Sequence, residues 1–529
     1  MLFNIIMMLV DYNALKGMIY MAYLLGVDIG TSGTKTVLFK EDGTTVASST
    51  REYSLYQPNV GWAEQDPADW WWASCATIRE VIGKSGVKAD EIKGVGLSGQ
   101  MHGLVMLDRE GRALRNSIIW CDQRTQRECE QIESLVGRER LIEITANPAL
   151  TGFTASKILW IRNNEPEVYE RCAKILLPKD YIRYMLTGEF ATEVSDASGM
   201  QLLDIAGRCW SGELMRMLGI DKSLVAPVYE SQEISGRISE AASQLTGLAV
   251  GTPVVGGAGD QAAGAVGNGI VKSGIVSSTI GTSGVVFAHT DKVTIDPQGR
   301  VHTFCHAVPG AWHVMGVTQA AGLSLKWFRD NLCGAEIETA ALMGVDPYML
   351  MDKEADAVPA GSEGLIYLPY MMGERSPHLD PNAKGVFFGL SARHDKRAML
   401  RAVMEGVVYS LRDCMDIITG MGIDVTEVRA SGGGGKSELW RQMQADIFNK
   451  TITTINSPEG PALGVAMLAG VGTGVYASVA EAAEAVVQRN STCDAKARNV
   501  ETYNRFYKVY KDLYPALKRQ YGALAEVLG

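Results

Sequence analysis

The sequence predicts an α/β protein with mixed sheets, arranged as two halves of like grammar that share a cleft. Two observations carry that prediction. The phrase strand, Gly-Thr-rich turn, strand occurs twice, around Gly30-Thr31-Ser32-Gly33-Thr34 and around Gly281-Thr282-Ser283-Gly284. Around each copy, apolar runs of strand length alternate with helical stretches, the pattern of sheets covered by helices.

The elements follow in order. A meander opens the first half: residues 23–39 form two strands about the first turn, Asp42-Gly43 reverses the chain, and 44–53 pairs back. Asp66-Pro67 starts a helix that runs toward Ile82, with proline in its first turn. Trp70, Trp71 and Trp72 cannot share one helical face, so some belong to the core and one is left for a pocket. Residues 92–98 read as a buried strand that ends in the polar turn Gly99-Gln100-Met101-His102-Gly103. From about 136 to 247 the chain reads as mostly helical, an insertion that walls the cleft.

The second half repeats the scheme. Residues 253–260 form a strand that runs into a helix at 261–266, and the second hairpin follows, so the boundary falls near 268–272 and divides the chain into domains 23–268 and 269–529. A strand at 428–431 leads into the glycine run 432–435 and a helix at 438–448, and Gly460-Pro461 begins a helix of small residues suited to close packing. No low-complexity linker separates the halves, so a shared interface is expected.

Composition narrows the function classes. With 529 residues, 46% of them hydrophobic, the chain can bury more than one core. The net charge of −10 argues against sequence-independent nucleic-acid binding, which needs a basic face. Nine cysteines without a Cys-x-x-Cys pair suit reduced thiols in a cytoplasmic protein. Residues 1–10 are apolar but have no basic flank, and Asp11 interrupts them before they could span a bilayer. With Met18 and Met21 just before the first strand, residues 1–22 read as an upstream start rather than a membrane anchor, outside the fold.

The two turns present backbone N–H groups and hydroxyls to an anion, since glycine permits close approach. They are not P-loops, because no Gly-Lys-Ser/Thr follows either at the required spacing. Asp28, at the end of the first strand, is placed to hold Mg²⁺ against a polyphosphate, with a turn-forming role as the alternative. Asp260 lies between a glycine-padded strand end and a helix N-terminus. There it either takes the proton of an attacking sugar hydroxyl or merely caps the helix. The amides of Gly432 to Gly435 either bind a phosphate or adenosine or belong to a plain loop. His102 is a structural histidine or a ligand. His302, Cys305 and His306 lie on a strand, where neighbours face opposite ways, which disfavours a metal cluster.

The phrases taken together resemble the FGGY family of carbohydrate kinases. They comprise Gly-Val-Asp-Ile-Gly-Thr-Ser-Gly at 26–33, Glu-Gln-Asp-Pro at 64–67, Gly-Gln-Met-His-Gly at 99–103 and Trp-Cys-Asp-Gln-Arg at 120–124. Others are Leu-Pro-Lys-Asp-Tyr at 177–181, Gly-Asp-Gln-Ala-Ala-Gly at 259–264, Gly-Glu-Arg-Ser-Pro-His at 373–378 and Gly-Val-Phe-Phe-Gly-Leu at 385–390. The glycines at 432–434 and Gly-Pro-Ala-Leu-Gly at 460–464 complete the series.

The resemblance implies two ribonuclease H-like domains of the actin and hexokinase type, closing on ATP, Mg²⁺ and a sugar across a central cleft. It implies Asp260 as catalytic base and Asp28 as the acid on the metal and phosphate side. Met101 and His102 fall on the sugar-contacting pair, Thr31 and Thr282 in the phosphate hairpins, and Gly433, Gly434 and Ser437 in the adenosine loop. The acceptor it implies is the terminal hydroxyl of D-xylulose, in a cytoplasmic homodimer with no nucleic-acid or membrane partner. One position departs from the pattern. Gln261 stands where xylulose-acting members usually carry Asn, and glutamine there is familiar from glycerol-acting members, so a shifted sugar preference is expected. The rivals are another ketose or polyol as acceptor, such as ribulose, a deoxy-sugar or glycerol, or a sugar-sensing protein without catalysis. A DNA regulator would need a helix-turn-helix or a basic face, and neither is evident.

Overall fold

A computed structural model describes residues 22–456 and 459–528. The reading of the N-terminal extension falls, but for Ala22, outside the described residues. Two seven-stranded mixed sheets organise the molecule. In the first, β1 (Tyr23–Ile29) and β2 (Gly33–Lys40) form the expected hairpin, and β3 (Thr45–Glu52) extends it antiparallel. Helix α1 (Pro67–Ser85) covers one face; the Asp66 side chain caps it by accepting from the Ala68 amide at 2.9 Å, and Pro67 needs no such bond. Trp70 and Trp71 are buried, whereas Trp72 is 59% exposed. Strand β4 (Ile92–Gly99) pairs parallel with β1.

The stretch expected to be mostly helical is instead a patchwork. Helices such as α2 (Thr154–Asn164) and α3 (Pro178–Thr187) alternate with two- and three-residue strands, and β5 (Ile234–Arg237) joins the first sheet at its edge. The difference has a physical source: strands this short carry no readable alternation of their own and exist only through their partners. Strands β6 (Pro253–Val255) and β7 (Ala258–Gly259) pair parallel with β4, and helix α4 (Asp260–Gly267) starts directly at the strand end.

The second sheet repeats the order. Its hairpin is β8 (Gly274–Ile280) with β9 (Gly284–Thr290). Strands β10 (His302–Cys305) and β11 (Trp312–Thr318) lie beyond β9. On the other side β12 (Val425–Ser431) and β13 (Thr451–Ile455) run parallel to β8, and β14 (Arg489–Cys493) closes the edge antiparallel. The orders β3-β2-β1-β4-β6-β5 and β11-β9-β8-β12-β13-β14 match strand for strand in direction. The chain is thus one design used twice.

What joins the two copies is the small-residue helix α5 (Gly460–Gly472). It belongs to the second half by sequence yet packs on β1, β4 and α4 of the first. Contact is backbone to backbone: a Cβ on Gly26 would lie 2.0 Å from the Ala462 carbonyl oxygen, one on Gly96 2.0 Å from that of Val465, and one on Gly464 1.9 Å from that of Ala263. No side chain fits. Gly464→Val will therefore destabilise the fold by more than the ~1–3 kcal/mol typical of overpacking, because carbonyls cannot yield as side chains do, and the urea midpoint will fall accordingly. A midpoint like that of the parent chain would show that this helix is not seated as described.

Candidate active site

The two hairpin turns sit at corresponding ends of the two sheets. The first is closed by the Gly30 amide donating to the Gly33 carbonyl at 3.0 Å, the second by Gly281 donating to Ser283 at 3.0 Å. Thr31 is held from two sides. Its hydroxyl accepts from the Trp120 indole at 2.9 Å, and its carbonyl accepts from the Gln65 amide at 2.7 Å. Gly432 lies against the end of β8, where a Cβ would stand 2.4 Å from the Ile280 carbonyl oxygen. That contact joins the glycine run to the second turn. The run itself is a single helical turn (Gly432–Lys436) rather than a loop, and Ser437 caps the next helix, its hydroxyl accepting from the Trp440 amide at 3.1 Å.

Three cavities meet these elements. A large one of about 820 Å³ is lined by Asp260, Gln261, Gly264, Gly432, Gly433 and Lys436. A second of about 420 Å³ lies between the Thr282 turn, Tyr348, Asp352, Gly433 and Ser437. A small one of about 200 Å³ is lined by Met101, His102, Trp120, Asp260 and Gln261, with residues of β9 to β11 on the opposite wall. Asp260 and Gln261 border both the large and the small cavity. Met101, His102, Asp260 and Gln261 thus come together as the sequence suggested, and Thr282, Gly433 and Ser437 come together elsewhere. Gly434 is buried instead, and a Cβ there would lie 2.5 Å from the Ile280 side chain. It seats the turn and lines none of these three cavities. Lys436 and Trp120 line cavities but were not singled out from sequence, since a lysine or tryptophan beside glycines carries no signal of direction.

The electrostatics at Asp260 are distinctive. Burial, and then repulsion by Asp28, push its carboxyl up to about 7, against the opposing pull of the Gln261 backbone N–H, which donates to Oδ1 at 2.7 Å, and of the Gln261 side chain. Asp28 is itself raised by burial, with Ser98 and Lys35 opposing the shift, and its Oδ1 is buried without a hydrogen-bond partner. Two carboxyl groups so placed favour the entry of positive charge.

His102 is held in a left-handed conformation (φ 71°). Its carbonyl accepts from the Lys157 ammonium at 2.9 Å and the Thr154 hydroxyl at 3.1 Å, and its Nδ1–H donates to the Gly199 carbonyl at 3.0 Å. Burial and the positive charge of Lys157 lower the ring to about 3, so it stays neutral with a bare Nε2 lone pair. Behind Asp260 lies a fully buried ionic network. The Lys179 ammonium reaches Asp180 at 2.7 Å, Asp196 at 3.2 Å and Glu193 at 3.3 Å, and Arg183 also pairs with Asp180. Burial, reinforced by Asp180 and Glu193, pushes Asp196 well above the usual carboxylate range against the pull of Lys179. Through Ser195, whose hydroxyl donates to Glu193 at 3.0 Å and accepts from the Gly259 amide at 3.1 Å, the network fixes the residue before Asp260.

Comparisons with known proteins bear on what such a site does. Residues 23–267 match the N-terminal domain model of the FGGY family of carbohydrate kinases, and residues 276–473 match its C-terminal domain model. The chain belongs to that family. It is 39% identical to the xylulose kinase of Bacillus subtilis over 94% of this chain and 98% of that one. To the xylulose kinase of Escherichia coli it is 40% identical over 86% and 91%. A solved xylulose kinase from Brucella ovis superposes with a TM-score of 0.86 at 34% identity, covering 94% of this chain and all of that one. The two-domain α/β fold with its cleft is therefore that of the actin and hexokinase type. Among the described residues, no helix is long and apolar enough to cross a membrane.

Lys179→Met leaves three buried acids facing Arg183 alone. Loss of one partner from a buried ion group costs about 3–5 kcal/mol, and a chemical denaturation curve of the variant will read that loss. Unchanged stability would mean that the network does not hold the strand end.

Proposed function

We propose that the protein transfers the γ-phosphoryl group of ATP to the terminal hydroxyl of D-xylulose. The observation that carries this reading is the position of Asp260 and Gln261 on the border of two cavities, one suited to a sugar and one to a polyphosphate. Identity to xylulose kinases over nearly the whole chain supports the choice of sugar. In this reading the chain divides near residue 268 into a sugar side and a nucleotide side, and the protein works in the cytoplasm.

The sugar lies in the small cavity, with His102 Nε2 accepting a hydrogen bond from a sugar hydroxyl and Met101 bounding the apolar side. Its terminal hydroxyl points toward Asp260. The carboxylate accepts that proton as the oxygen attacks phosphorus, which is the task of a general base poised near the working pH. Across the border, Gly433 and Lys436 face the phosphates, the Thr31 and Thr282 turns offer amides and hydroxyls to charge developing on the transferring group, and Ser437 borders the pocket for adenosine. Gly434 supports that loop from beneath. The unpartnered Oδ1 of Asp28 and the repulsion between Asp28 and Asp260 fit a Mg²⁺ ion held on the Asp28 side. When bound, it neutralises charge between the phosphates. Domain closure over the filled cleft keeps water from the γ-phosphorus.

A coupled ADP-release assay over a sugar panel tests the reading, with D-xylulose expected to give the highest kcat/KM. A higher value for ribulose, glycerol or a deoxy-sugar would reassign the acceptor and trace the shift to Gln261. Sugar-independent nucleotide binding without turnover would indicate a sensor. Asp260→Asn will lower kcat by about 10²–10⁴, and turnover within a few-fold of the parent would remove Asp260 from the mechanism.

The base works ionised, and burial with Asp28 repulsion raises its midpoint to about 7. The kcat/KM of the parent enzyme should therefore climb through pH 7 and level off above it. Asp28→Asn removes the repelling charge, so the same limb should move to lower pH even as the maximum falls. A limb that stays put would mean that Asp28 does not set it.

A further inference from the structure

The motif Gly-Glu-Arg-Ser-Pro-His and the strand that bears His302 have no part in the scheme above, yet both reach the small cavity. His302, on β10, is 2% exposed. Its Nδ1 lies 2.7 Å from Asn147 Oδ1. The Asn147 amide nitrogen is already committed, donating to the Thr145 carbonyl at 2.9 Å and the Thr303 carbonyl at 3.0 Å. Its oxygen must therefore face the histidine, and His302 Nδ1 must carry the proton. That leaves Nε2 as a lone-pair acceptor, and it is buried without any hydrogen-bond partner. Phe304, stacked on the ring at 5.8 Å, and Phe153, edge-on at 5.9 Å, hold its plane. An orphaned acceptor on a cavity wall calls for a donor from a ligand.

Arg375 lines the same wall. Its backbone is fixed: the amide donates to Glu374 Oε1 at 2.7 Å, and the next amide, of Ser376, donates to the Val317 carbonyl at 2.9 Å. Glu374 is no counter-ion for it. That carboxyl also accepts from the Gln319 amide at 2.9 Å, and burial raises it to about 8, so it is largely neutral. Among the described residues the Arg375 guanidinium pairs with no carboxylate, and burial alone lowers its basicity. Its charge is felt by His102 and His302, whereas the charge that acts on Asp260 is that of Asp28. Arg375 and His302 both line the cavity from the second half of the chain, whereas Asp260 stands at the start of α4 in the first.

We propose that His302 and Arg375 are substrate-contacting, specificity-determining residues that read the carbonyl end of the ketose. This rests on the D-xylulose reading above. With the terminal hydroxyl at Asp260, the C2 carbonyl and C1 hydroxyl point to the far wall. A carbonyl only accepts hydrogen bonds, and the guanidinium only donates. The C1 hydroxyl donates, and the bare His302 Nε2 only accepts. The nucleotide-side half thus supplies the residues that sense the sugar's identity, and closure of the halves completes the sugar site.

Two substrate pairs test this, D-xylulose against 1-deoxy-D-xylulose and D-xylulose against xylitol, in wild type, His302→Leu and Arg375→Met. The wild type should favour D-xylulose at least about 10-fold in each pair, because a site built to bond a polar group rejects the analogue that lacks it. His302→Leu should lower kcat/KM for D-xylulose about 10-fold and abolish preference within the first pair. Arg375→Met should lower it about 100-fold, the scale of a charge-assisted bond, and abolish preference within the second pair, with the KM for ATP unchanged in both. If His302→Leu does not fold, Arg375→Met decides alone. Variants that depress both members of a pair equally, or a wild type that discriminates neither pair, would overturn this assignment. A wild type inactive on D-xylulose but active on another panel sugar would sink the substrate reading, and this assignment with it.

Discussion

The molecule depends on one constraint, the bare backbone contact between helix α5 and the first sheet. Glycines on β1, β4 and in the helix itself bring carbonyl oxygens to distances that no Cβ would tolerate. An interface made this way has little freedom to slide, because backbone atoms have no rotamers with which to readjust. The helix follows directly from β13 of the second sheet. The seating of α5 on β1, β4 and α4 therefore sets where the second sheet stands relative to Asp260. The Lys35–Glu459 ion pair, 2.5 Å long, ties the first hairpin to the start of the same helix.

On that frame the site gains its chemistry from incomplete neutralisation. Asp28 and Asp260 are both raised by burial, and the charge of Asp28 raises Asp260 further. At the small cavity the imbalance runs the other way: among the described residues the Arg375 guanidinium pairs with no carboxylate, and two imidazoles are held neutral. The fold keeps these groups poised by completing the charges behind them. The Lys179 ammonium meets three acids, Lys157 is held by two backbone carbonyls, His102 and Gly152, and Glu374 Oε1 accepts from two backbone amides.

Much of this was legible in the sequence. The hairpin turns, the capped helix at Asp66-Pro67 and the doubled α/β grammar follow from local rules about glycine, proline and apolar periodicity, and the structure places them where those rules predict. Asp28 and Asp260 were visible because each stands at a strand end, where alternation stops and a polar side chain is left to face a turn. Residues 136–247 were not legible in this way, since their short strands exist only by pairing with distant partners. That Gly434 lies buried against the Ile280 side chain was not legible either, because a run of four glycines carries no signal of direction.

Outside residues 136–247, the sequence alone determined which segments form elements and which residue types could carry phosphoryl transfer, because those properties depend on neighbours a few positions away. Only the tertiary structure decided direction. It turned His302 out of an ordinary strand and into the small cavity, left Arg375 without an acid among the described residues despite the glutamate beside it, and set Asp260 on the border of two cavities. Those outcomes depend on burial and on partners more than a hundred residues distant, such as Asn147 for His302. No local pattern records such contacts, since they arise only when the second sheet closes against the first.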